Sequence, residues 1–323
     1  MLKFGALGDL VQAFAAFAQI RAAHSGAEIT LLTTPAYVEF ARASRLFDLV
    51  EADGRPQGLA AHWALFQRLR RRRYDRVYDL QTSSRSKTYF YAFWPRPPAW
   101  SGISPGASHR QTRPDRTRLH NLDRIADQMA VAGVAPHTPI GAAPVPDLSW
   151  AVRLAKADRA TTAERFGISP LFALLVPGAS PVKPEKFWPV EAYAALAVAL
   201  QARGLQVVVI GSPQEAALAG VIRQACPTAA DLTGATSLVD LAGLASEAAL
   251  CVGNDTGPTH LIAYAGAPGL MLMSRVSDPA HCGPRAKMTT LRVDDLAALS
   301  PEAVLHDLFV SQRLHLPSAI IRS

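Results

Sequence analysis

Short, wholly apolar runs alternate with helical patterns along this chain, and this alternation restricts its fold more than any other property of the sequence. In the second half, the runs LFALLV (171–176), LQVVVI (205–210) and AALCV (248–252) lie between segments with helical periodicity. Strands that are apolar on both faces belong to a parallel sheet that helices cover on both sides. The chain is therefore predicted to adopt an α/β fold built from βαβ units.

The first half repeats this alternation with less uniform strands. Its pattern predicts strands at 1–4, 28–33, 47–51 and 75–80 and helices at 10–24, 36–45, 59–72 and 120–133. The second half adds helices at 189–203, 213–225, 238–246 and 258–265 and a last strand at 268–273. The Pro-rich stretch 95–118 predicts a loop, and a polar helical stretch at 149–166 ends at Gly167. We place the domain boundary there, which gives two Rossmann-like domains, 1–166 and 167–323.

Composition excludes several classes of protein. The chain has 323 residues, of which 49% are apolar and 18% are charged, so each of two domains can bury its own core. No stretch of about 20 apolar residues free of charge predicts a membrane-spanning helix. The cysteines, Cys226, Cys251 and Cys282, are too few for a disulfide scaffold and fit a reducing compartment.

Positive charge is concentrated in the first half. Residues 1–165 contain 23 Lys and Arg against 14 Asp and Glu, whereas residues 166–323 contain 10 against 12. Two arginine clusters, at 68–76 and 110–118, account for much of the excess. Unless they are only solvated helix faces, such patches attract phosphorylated lipid, nucleic acid or anionic sugar. Nucleic acid is disfavoured, because the chain shows neither a helix-turn-helix nor aromatic residues interleaved with the basic ones.

Ligands of α/β sheets bind beyond the carboxyl ends of the strands, so the candidate sites are the strand-to-helix loops. The first loop, FGALGDL, turns through Gly5 and Gly8, which let the backbone approach a ligand closely. It matches neither the dinucleotide-binding GxGxxG pattern nor a P-loop. Asp9 in this loop either caps the following helix or serves as a carboxylate that takes a proton from a hydroxyl.

The segment GNDTGPTH directly follows the strand AALCV. With its proline at the first helical position, the backbone amides of Thr256 and Gly257 would lie at the positive end of a helix, as in a diphosphate site. Gly253 starts the turn, while Asp255 and His260 are each either structural or ligand-binding. Their concentration in one short segment favours ligand binding.

Two further loops follow predicted strands. The loop PGASPVKPEKFWP contains Ser180, Lys183 and Lys186, which can donate to a diphosphate leaving group without a metal. Trp188 in the same loop is interpreted as a packing anchor rather than a stacking platform. The loop GSPQE places Glu215 where a carboxylate can accept a hydrogen bond from a ribose hydroxyl.

Four segments, FGALGDLVQ, PGASPVKPEKFWP, LTGATSLVDLAGLAS and GNDTGPTHLIAYAGAP, resemble glycosyltransferase family 9 in their order and spacing. The best-known members of that family are the ADP-heptose:lipopolysaccharide heptosyltransferases. The resemblance implies a GT-B fold, in which two Rossmann-like parallel-sheet domains face an interdomain cleft. It also implies an inverting enzyme without a metal or other cofactor, and the chain has no Asp-x-Asp motif. Family members carry several more apolar residues before FGALGD, so the first strand is expected to be short.

Carried over residue by residue, the resemblance assigns a role to each candidate. Asp9 becomes the catalytic base in an acceptor-binding first domain, Lys186 a diphosphate ligand with Lys183 as the second choice, and Glu215 a ribose ligand. The donor's sugar and phosphates would be bound in the second domain by Asp255, Thr256, Gly257 and His260. The expected donor is ADP-heptose, and the expected acceptor is an acidic, lipid-linked oligosaccharide of the lipopolysaccharide inner core. Such an acceptor implies a cytoplasmic protein with peripheral contact at the inner membrane.

Three alternatives stay open. The chain could be a glycosyltransferase of the same fold with another nucleotide sugar as donor, or a non-catalytic nucleotide-sugar-binding protein. It could also be an epimerase or an NAD-dependent oxidoreductase, although the lack of GxGxxG disfavours the oxidoreductase. Products formed from ADP-heptose, compared with those from UDP- and GDP-sugars, would separate these activities.

Overall fold

The computed structural model describes residues 1–53, 56–156, 160–311 and 314. The chain divides into two compact units, Met1–Pro146 and Asp147–Ser323. In the first unit the strands are β1 (Thr30–Thr33), β2 (Leu49–Ala52), β3 (Arg76–Tyr78), β4 (Ala99–Gly102) and β5 (His109–Arg110). Its helices are α1 (Leu7–Gln12), α2 (Phe14–Ala23), α3 (Val38–Ala43), α4 (Gly58–Arg71), α5 (Ser84–Ala92) and α6 (Asn121–Val131).

All strand pairs of the first unit are parallel, in the groups β1–β2 and β3–β4–β5. Leu2 joins the two groups, since it bridges both Leu32 of β1 and Asp79 directly after β3. The spatial order is therefore β2, β1, the Leu2 segment, β3, β4 and β5, which is the order of a Rossmann-like sheet. The strand predicted at 1–4 is reduced to this single bridging residue.

Two regions of the first unit differ from the sequence-based expectation. The stretch 95–118, predicted as a loop, contains β4 and β5. β4 forms because the fully buried Trp100 pairs within the sheet and packs edge-on against Phe90. The sequence pattern predicts no helix where α5 lies, yet a capping box between Ser83 and Ser86 fixes the first turn of that helix.

In the second unit the strands are β6 (Phe172–Val176), β7 (Gln206–Val209), β8 (Ala230–Asp231), β9 (Leu250–Asn254), β10 (Gly269–Met273) and β11 (Met288–Arg292). Its helices are α7 (Ser149–Ala155), α8 (Thr162–Arg165), α9 (Val190–Gln201), α10 (Ala216–Ala225), α11 (Leu238–Glu247), α12 (Gly257–Tyr264), α13 (Pro279–Cys282) and α14 (Pro301–His306). Among the helices described in either unit, none has the length and apolarity needed to cross a bilayer.

The second sheet is entirely parallel, in the order β11–β10–β9–β6–β7–β8. Every residue of β6, β9 and β10 is buried, which confirms the prediction made from their apolar runs. Helices cover the sheet, and α9 and α10 pack on it through a core that includes Leu196, Leu200 and Ile222. The order is again Rossmann-like, with β6 as the first strand.

The division between the units falls after Pro146 rather than after residue 166, where the sequence pattern places it. α7 and α8 pack against α11 and so belong to the second unit. Close packing here depends on Gly243, because a Cβ at this position would lie 2.6 Å from Cβ of Ala155 and 2.2 Å from Oγ1 of Thr162. Buried small residues in a stretch that reads as polar explain the displaced boundary.

Candidate functional site

Two of the predicted loops leave the second sheet side by side. β6 and β9 are neighbouring parallel strands, with Val176 paired to Gly253, so the chain emerges from both at the same edge. Strand order reverses between them, since the chain continues from β6 to β7 on one side and from β9 to β10 on the other. α/β proteins bind ligands at such a switch point. The loop 177–189 and the segment after β9 therefore occupy the position expected of a ligand site.

The beginning of α12 lies close to the sheet. A Cβ on Gly253 would lie 2.6 Å from Oγ1 of Thr259 and 2.9 Å from Cβ of Val176, so a larger residue would force α12 outwards. Thr256 is the N-cap residue without a side-chain cap hydrogen bond, Gly257 is the first helical residue, and the proline takes the second position rather than the first. The first backbone N–H groups of a helix have no intrahelical acceptor and suit an anion.

Asp255 is the centre of a buried charged cluster. Its Oδ2 atom accepts hydrogen bonds from Nζ of Lys186 at 2.5 Å and from Oγ of Ser277 at 2.6 Å, and its Oδ1 lies 3.3 Å from Nε2 of His260. Burial alone would raise the pKa of Asp255, but the three hydrogen bonds, led by that of His260, hold this pKa well below its usual range. The structure thus brings together Lys186, Asp255 and His260, which the sequence singles out in two separate loops.

His260 is buried, and its two ring nitrogens have different surroundings. Nε2 faces Asp255, whereas Nδ1 has no hydrogen-bond partner among the described residues. Oγ1 of Thr259, the preceding residue of α12, is also buried and lacks a partner in that part of the chain. A polar ligand group can satisfy buried atoms of this kind, which are otherwise costly to leave unpaired.

The cluster around Asp255 combines its carboxylate with the ammonium of Lys186 and the ring of His260. Within the described ranges, no group of three or more His, Cys, Asp or Glu residues is placed to hold a metal ion. The ammonium of Lys186 already occupies the side of the carboxylate where a cation would bind. An ammonium has three N–H donors, so Lys186 has two left that can donate to a negatively charged ligand.

The two lysines of the loop 177–189 have different surroundings. Lys186 ends a short 3-10 helix, Pro184–Lys186, and its side chain is only 17% exposed where it pairs with Asp255. Lys183 and Ser180 are exposed. No contact between described residues joins their side chains to the cluster. The structure therefore groups Lys186, and neither Lys183 nor Ser180, with the GNDTGPTH segment.

Glu215 lies in the loop after β7, and its carboxylate reaches the loop after β6. It closes a short 3-10 helix by accepting the backbone N–H of Ser212 at 2.5 Å. The carboxylate fills the space beside two glycines: a Cβ on Gly178 would lie 1.6 Å from Oε1, and one on Gly211 would lie 2.8 Å from Oε2. Glu215 is thereby held at the carboxyl edge of the sheet next to the loop that carries Lys186.

Asn254 orders the loop that carries Lys186, a role that no motif reveals. Its buried side chain accepts hydrogen bonds from the Trp188 backbone N–H at 3.2 Å and the Tyr193 hydroxyl at 3.1 Å, and donates to the Pro177 carbonyl at 2.7 Å. Trp188 is fully buried, and its indole N–H donates to a backbone carbonyl at 2.9 Å, which confirms that it is a packing anchor. Both ends of the loop are thus fixed to β9.

The sequence pattern also does not identify Ser277, which follows β10 and lies 22 residues after Asp255. Its loop matches no ligand-binding motif. The signal that locates it is topological, because β10 pairs with β9 and the two strands end at the same edge of the sheet.

In the first unit, Asp9 is the third residue of α1 and does not cap that helix. The N-cap residue is Ala6, and no side chain caps this end, which excludes the capping interpretation of Asp9. Gly5 has a φ of +115°, and a Cβ there would lie 2.8 Å from Cε2 of Tyr37, so the turn requires glycine. Gly8 is a buried residue within α1.

A polar pocket of the first unit combines Asp9 with cationic side chains. Oδ1 of Asp9 accepts a long hydrogen bond, 3.4 Å, from Nδ2 of Asn121, and Nη2 of Arg124 donates to Oδ1 of Asn121 at 2.5 Å. The buried Lys3 also lines the pocket and donates to a backbone carbonyl at 3.1 Å. The remaining lining residues are Gln12, Leu80, Thr82, Arg116, Ile125 and Gln128.

Burial shifts the pKa values of the cations in this pocket. It is the largest cause of the lowered pKa of Lys3 and of Arg124, and the Asp9 carboxylate raises both pKa values in part. Burial and the neighbouring Arg124 lower the pKa of Arg116 to about 10, so this side chain is charged at neutral pH. Arg116 and Arg124 therefore place positive charge beside Asp9. Of these cations, only Arg116 belongs to a cluster that the sequence analysis names.

In a comparison with protein families, the family model described as glycosyltransferase family 9 (heptosyltransferase) matches residues 62–297. This range contains the cluster around Asp255 and the loop 177–189, whereas Asp9 precedes it. Comparison with curated proteins gave no significant match.

Solved structures that resemble this chain include three of the same family. A glycosyltransferase family 9 protein from Veillonella parvula has a TM-score of 0.78 and 19% identity, and the match covers 97% of this chain and 96% of that one. Escherichia coli ADP-heptose lipopolysaccharide heptosyltransferase II has a TM-score of 0.76 and 21% identity, and the match covers 97% of each chain. E. coli heptosyltransferase WaaC with ADP has a TM-score of 0.73 and 18% identity, and the match covers 95% of this chain and 97% of that one. The parallel α/β units described above therefore have the GT-B fold of heptosyltransferases.

Proposed function

The chain belongs to glycosyltransferase family 9, and from this premise we propose that it transfers a heptose from ADP-heptose to a hydroxyl of the lipopolysaccharide inner core. The observation that carries the proposal is the cluster of Lys186, Asp255 and His260 at the switch point of the second sheet. This is where α/β units bind nucleotides. The choice of donor is supported by two E. coli relatives, one described as an ADP-heptose enzyme and the other solved with ADP.

The diphosphate of the donor is proposed to lie between Lys186 and the beginning of α12. Lys186 donates one ammonium hydrogen to Asp255, which leaves two for phosphate oxygens. The backbone N–H groups of Thr256 and Gly257 add donors at the positive end of the helix dipole. We propose that the second unit binds both phosphate groups in this way, without recruiting a cation from solution.

The rest of the donor is proposed to contact the other polar groups at this edge. His260 offers its Nδ1 atom to the sugar, since Nε2 is engaged by Asp255. Glu215 accepts a hydrogen bond from a ribose hydroxyl, a charge-assisted contact. Ser180 and Lys183, which are exposed on the same loop as Lys186, supply further donors to the bound nucleotide sugar.

Asp9 is proposed to take the proton from the acceptor hydroxyl while that oxygen attacks the anomeric carbon of the heptose. The bond from the anomeric carbon to the β-phosphate oxygen of ADP breaks in the same step, on the opposite face, so the configuration inverts. Asn121 holds one carboxylate oxygen of Asp9 in place for this role. Arg116 and Arg124 bind the anionic groups of an acidic acceptor next to the base.

The leaving ADP gains negative charge as its bond breaks. We propose that Lys186 and the first amides of α12 stabilise that charge, so that the reaction needs no metal ion. Loss of one such preorganised donor removes about 3 kcal/mol of transition-state stabilisation, or roughly a hundredfold in rate.

The donor assignment is tested by offering the purified chain ADP-heptose, UDP-sugars and GDP-sugars together with an inner-core acceptor, with products identified by mass spectrometry. ADP-heptose is expected to give the heptosylated acceptor. Transfer from a UDP- or GDP-sugar instead would identify a glycosyltransferase of the same fold with another donor. Binding of ADP without transfer from any donor would identify a non-catalytic binding protein.

The role of Asp9 is tested separately. Asp9→Asn is expected to abolish transfer while the Kd for ADP stays within about twofold, because the proposed nucleotide ligands all lie in the second unit. Asp294→Asn, on an exposed carboxylate, is the matched control and should leave both quantities unchanged. A parallel loss of transfer and ADP affinity in Asp9→Asn would contradict its role as base.

A further inference from the structure

The exposed aromatic side chains of the described chain lie on one pair of helices. Trp63 on α4, Tyr91 on α5 and Trp94 just after α5 are 63%, 50% and 62% exposed. Leu59, at the beginning of α4, is 91% exposed. Single exposed apolar residues are common on soluble proteins, but a group of large ones on adjacent helices marks a contact surface.

These side chains lie on the outer face of a two-helix layer. Leu65 and Leu69 of α4 and Phe90 of α5 are buried in one hydrophobic cluster with residues of the first sheet. A helix turns about 100° per residue. Trp63 and Arg70, seven residues apart, therefore lie in one stripe along α4, and Leu65 and Leu69 lie on the opposite side of the helix. The stripe therefore faces solvent, away from the sheet.

This layer is strongly basic. Residues 58–74 and 84–96 contain eight Lys and Arg and no Asp or Glu. Three of these cations are paired, since Arg68 and Arg72 contact Glu51 and Arg85 contacts Asp53. Within the described ranges, the cations of the layer without a carboxylate partner are Arg70, Arg71, Arg73, Lys87 and Arg96. The exposed apolar groups thus share this layer with positive charge that has no carboxylate partner among the described residues.

We propose that this outer surface, termed the α4–α5 face, docks the protein on an anionic lipid bilayer. The α4–α5 face consists of Leu59, Trp63, Arg70, Arg71, Tyr91 and Trp94. Trp and Tyr rings favour the headgroup region of a membrane, where the ring lies among acyl chains and the polar edge reaches water. Arginine side chains cover apolar surface with their stems and hold lipid phosphates with their guanidinium groups.

Two other occupants fit the α4–α5 face less well. In a two-fold contact, a second copy of this chain would bring the same unpaired arginines close to one another. A protein partner would have to supply carboxylates opposite the unpaired arginines, whereas an anionic bilayer presents phosphate groups over its whole surface. Such a bilayer satisfies both the aromatic and the arginine side chains along the whole length of the helices.

A docked bilayer would lie along both helices and reach the sheet edge that contains Asp9 only at Leu59 and Trp63, because the other residues of the face lie at the last turns of α4 and α5. α4 follows β2 and α5 follows β3, so both helices begin at the carboxyl edge of the first sheet, as α1 does. Leu59 and Trp63 lie in the first two turns of α4 and hence near that edge. The biological purpose of docking rests on the proposed function, which has a lipid-linked acceptor, but vesicle binding is measured without donor or acceptor. Failure of one proposal is therefore distinguishable from failure of the other.

The test is co-sedimentation of the full chain with phosphatidylcholine vesicles that contain either no anionic lipid or about one third phosphatidylglycerol. Binding is expected only to the anionic vesicles and is expected to weaken as salt is added. Arg70→Gln combined with Arg71→Gln should reduce the partition coefficient about 30-fold, and Trp63→Ser combined with Trp94→Ser about tenfold or more. Val182→Ser and Arg223→Gln, at exposed positions of the second unit, are the controls and should bind like the unmodified chain.

A second measurement does not depend on the serine variants being folded. Brominated lipid in the anionic vesicles should quench the tryptophan fluorescence of the unmodified chain more than that of Trp63→Phe combined with Trp94→Phe. Three results would overturn the proposal: equal binding to both kinds of vesicle, α4–α5 variants that bind like the controls, or equal quenching in the two proteins. A dimer that the tryptophan substitutions dissociate would assign the face to self-association instead.

Discussion

Replacement of Gly178 with alanine is expected to weaken ADP binding without unfolding the protein. The added methyl group would lie 1.6 Å from Oε1 and 2.3 Å from Cδ of Glu215. Gly178 is not among the residues with positive φ, so alanine itself fits the backbone. Because the clash involves the far end of a flexible side chain, Glu215 can rotate away. The carboxylate then leaves the position from which it is proposed to hold the ribose.

The two consequences of this rotation differ in size. The fold loses one hydrogen bond from the Ser212 backbone N–H, which lies in an exposed loop, so the free energy of unfolding should fall by only about 1 kcal/mol. ADP loses a hydrogen bond to a charged carboxylate, which is worth about 1.5 to 3 kcal/mol. The Kd for ADP should therefore rise roughly tenfold to hundredfold.

Isothermal titration calorimetry with ADP and thermal denaturation measure both quantities in the same sample. Gly220→Ala is the control, since nothing lies within 4 Å of a Cβ at that position of α10. Glu215→Gln should raise the Kd by a similar factor, and the double variant of Gly178 and Glu215 should add little, because both substitutions act through one carboxylate. An unchanged Kd in Gly178→Ala beside a raised Kd in Glu215→Gln would refute the reasoning from the observed geometry.

Other expectations concern the charged cluster of the second unit. Lys186→Met should slow transfer about a hundredfold and weaken ADP binding, whereas Lys183→Met, on an exposed side chain outside the cluster, should have a smaller effect on both quantities. Steady-state kinetics and calorimetry on both variants check this, and equal effects would contradict the grouping of Lys186 with Asp255. Asp255→Asn should lower the free energy of unfolding at neutral pH by about 3 kcal/mol, because it leaves the largely buried ammonium of Lys186 without its counter-charge. The pKa of Asp255 is lower in the folded state than in the unfolded chain, so its stabilising contribution is complete above about pH 4 and is lost as the pH falls further. Thermal denaturation should therefore show a steeper acid loss of stability in the unmodified protein than in Asp255→Asn, and parallel curves would argue against a charged Asp255.

The second sheet was predictable from the sequence because its strands are apolar at nearly every position. A segment with no polar side chain can only be a buried strand or a buried helix, and runs of five or six residues are too short for the helix. The first sheet was less predictable, since β4 has the sequence AWSG between proline-rich stretches. Its strand conformation depends on Trp100 filling a space made by Phe90 and Phe93, which no local pattern reveals.

The residues of the candidate site also differ in how well the sequence predicts that they lie together. Asp255, Thr256, Gly257 and His260 are neighbours in the sequence, so one motif and its place after a strand predict their proximity. A residue from another loop, such as Ser277 after β10, can be predicted to join the site only when it is known which strands are adjacent. Asn121 at the beginning of α6 is similar, because it reaches Asp9 across 112 residues of sequence, and Arg124 donates in turn to Asn121.

The side chain of Asn254 has a thermodynamic consequence for the nucleotide. It fastens the chain at Pro177 and again at Trp188, so the intervening segment is already confined when the protein folds. The segment loses its conformational entropy when the protein folds, so this loss does not weaken the binding of ADP. Affinity for ADP should thus carry little penalty from loop ordering, and association should proceed at a rate set by diffusion and charge attraction instead of by a preceding rearrangement of the loop.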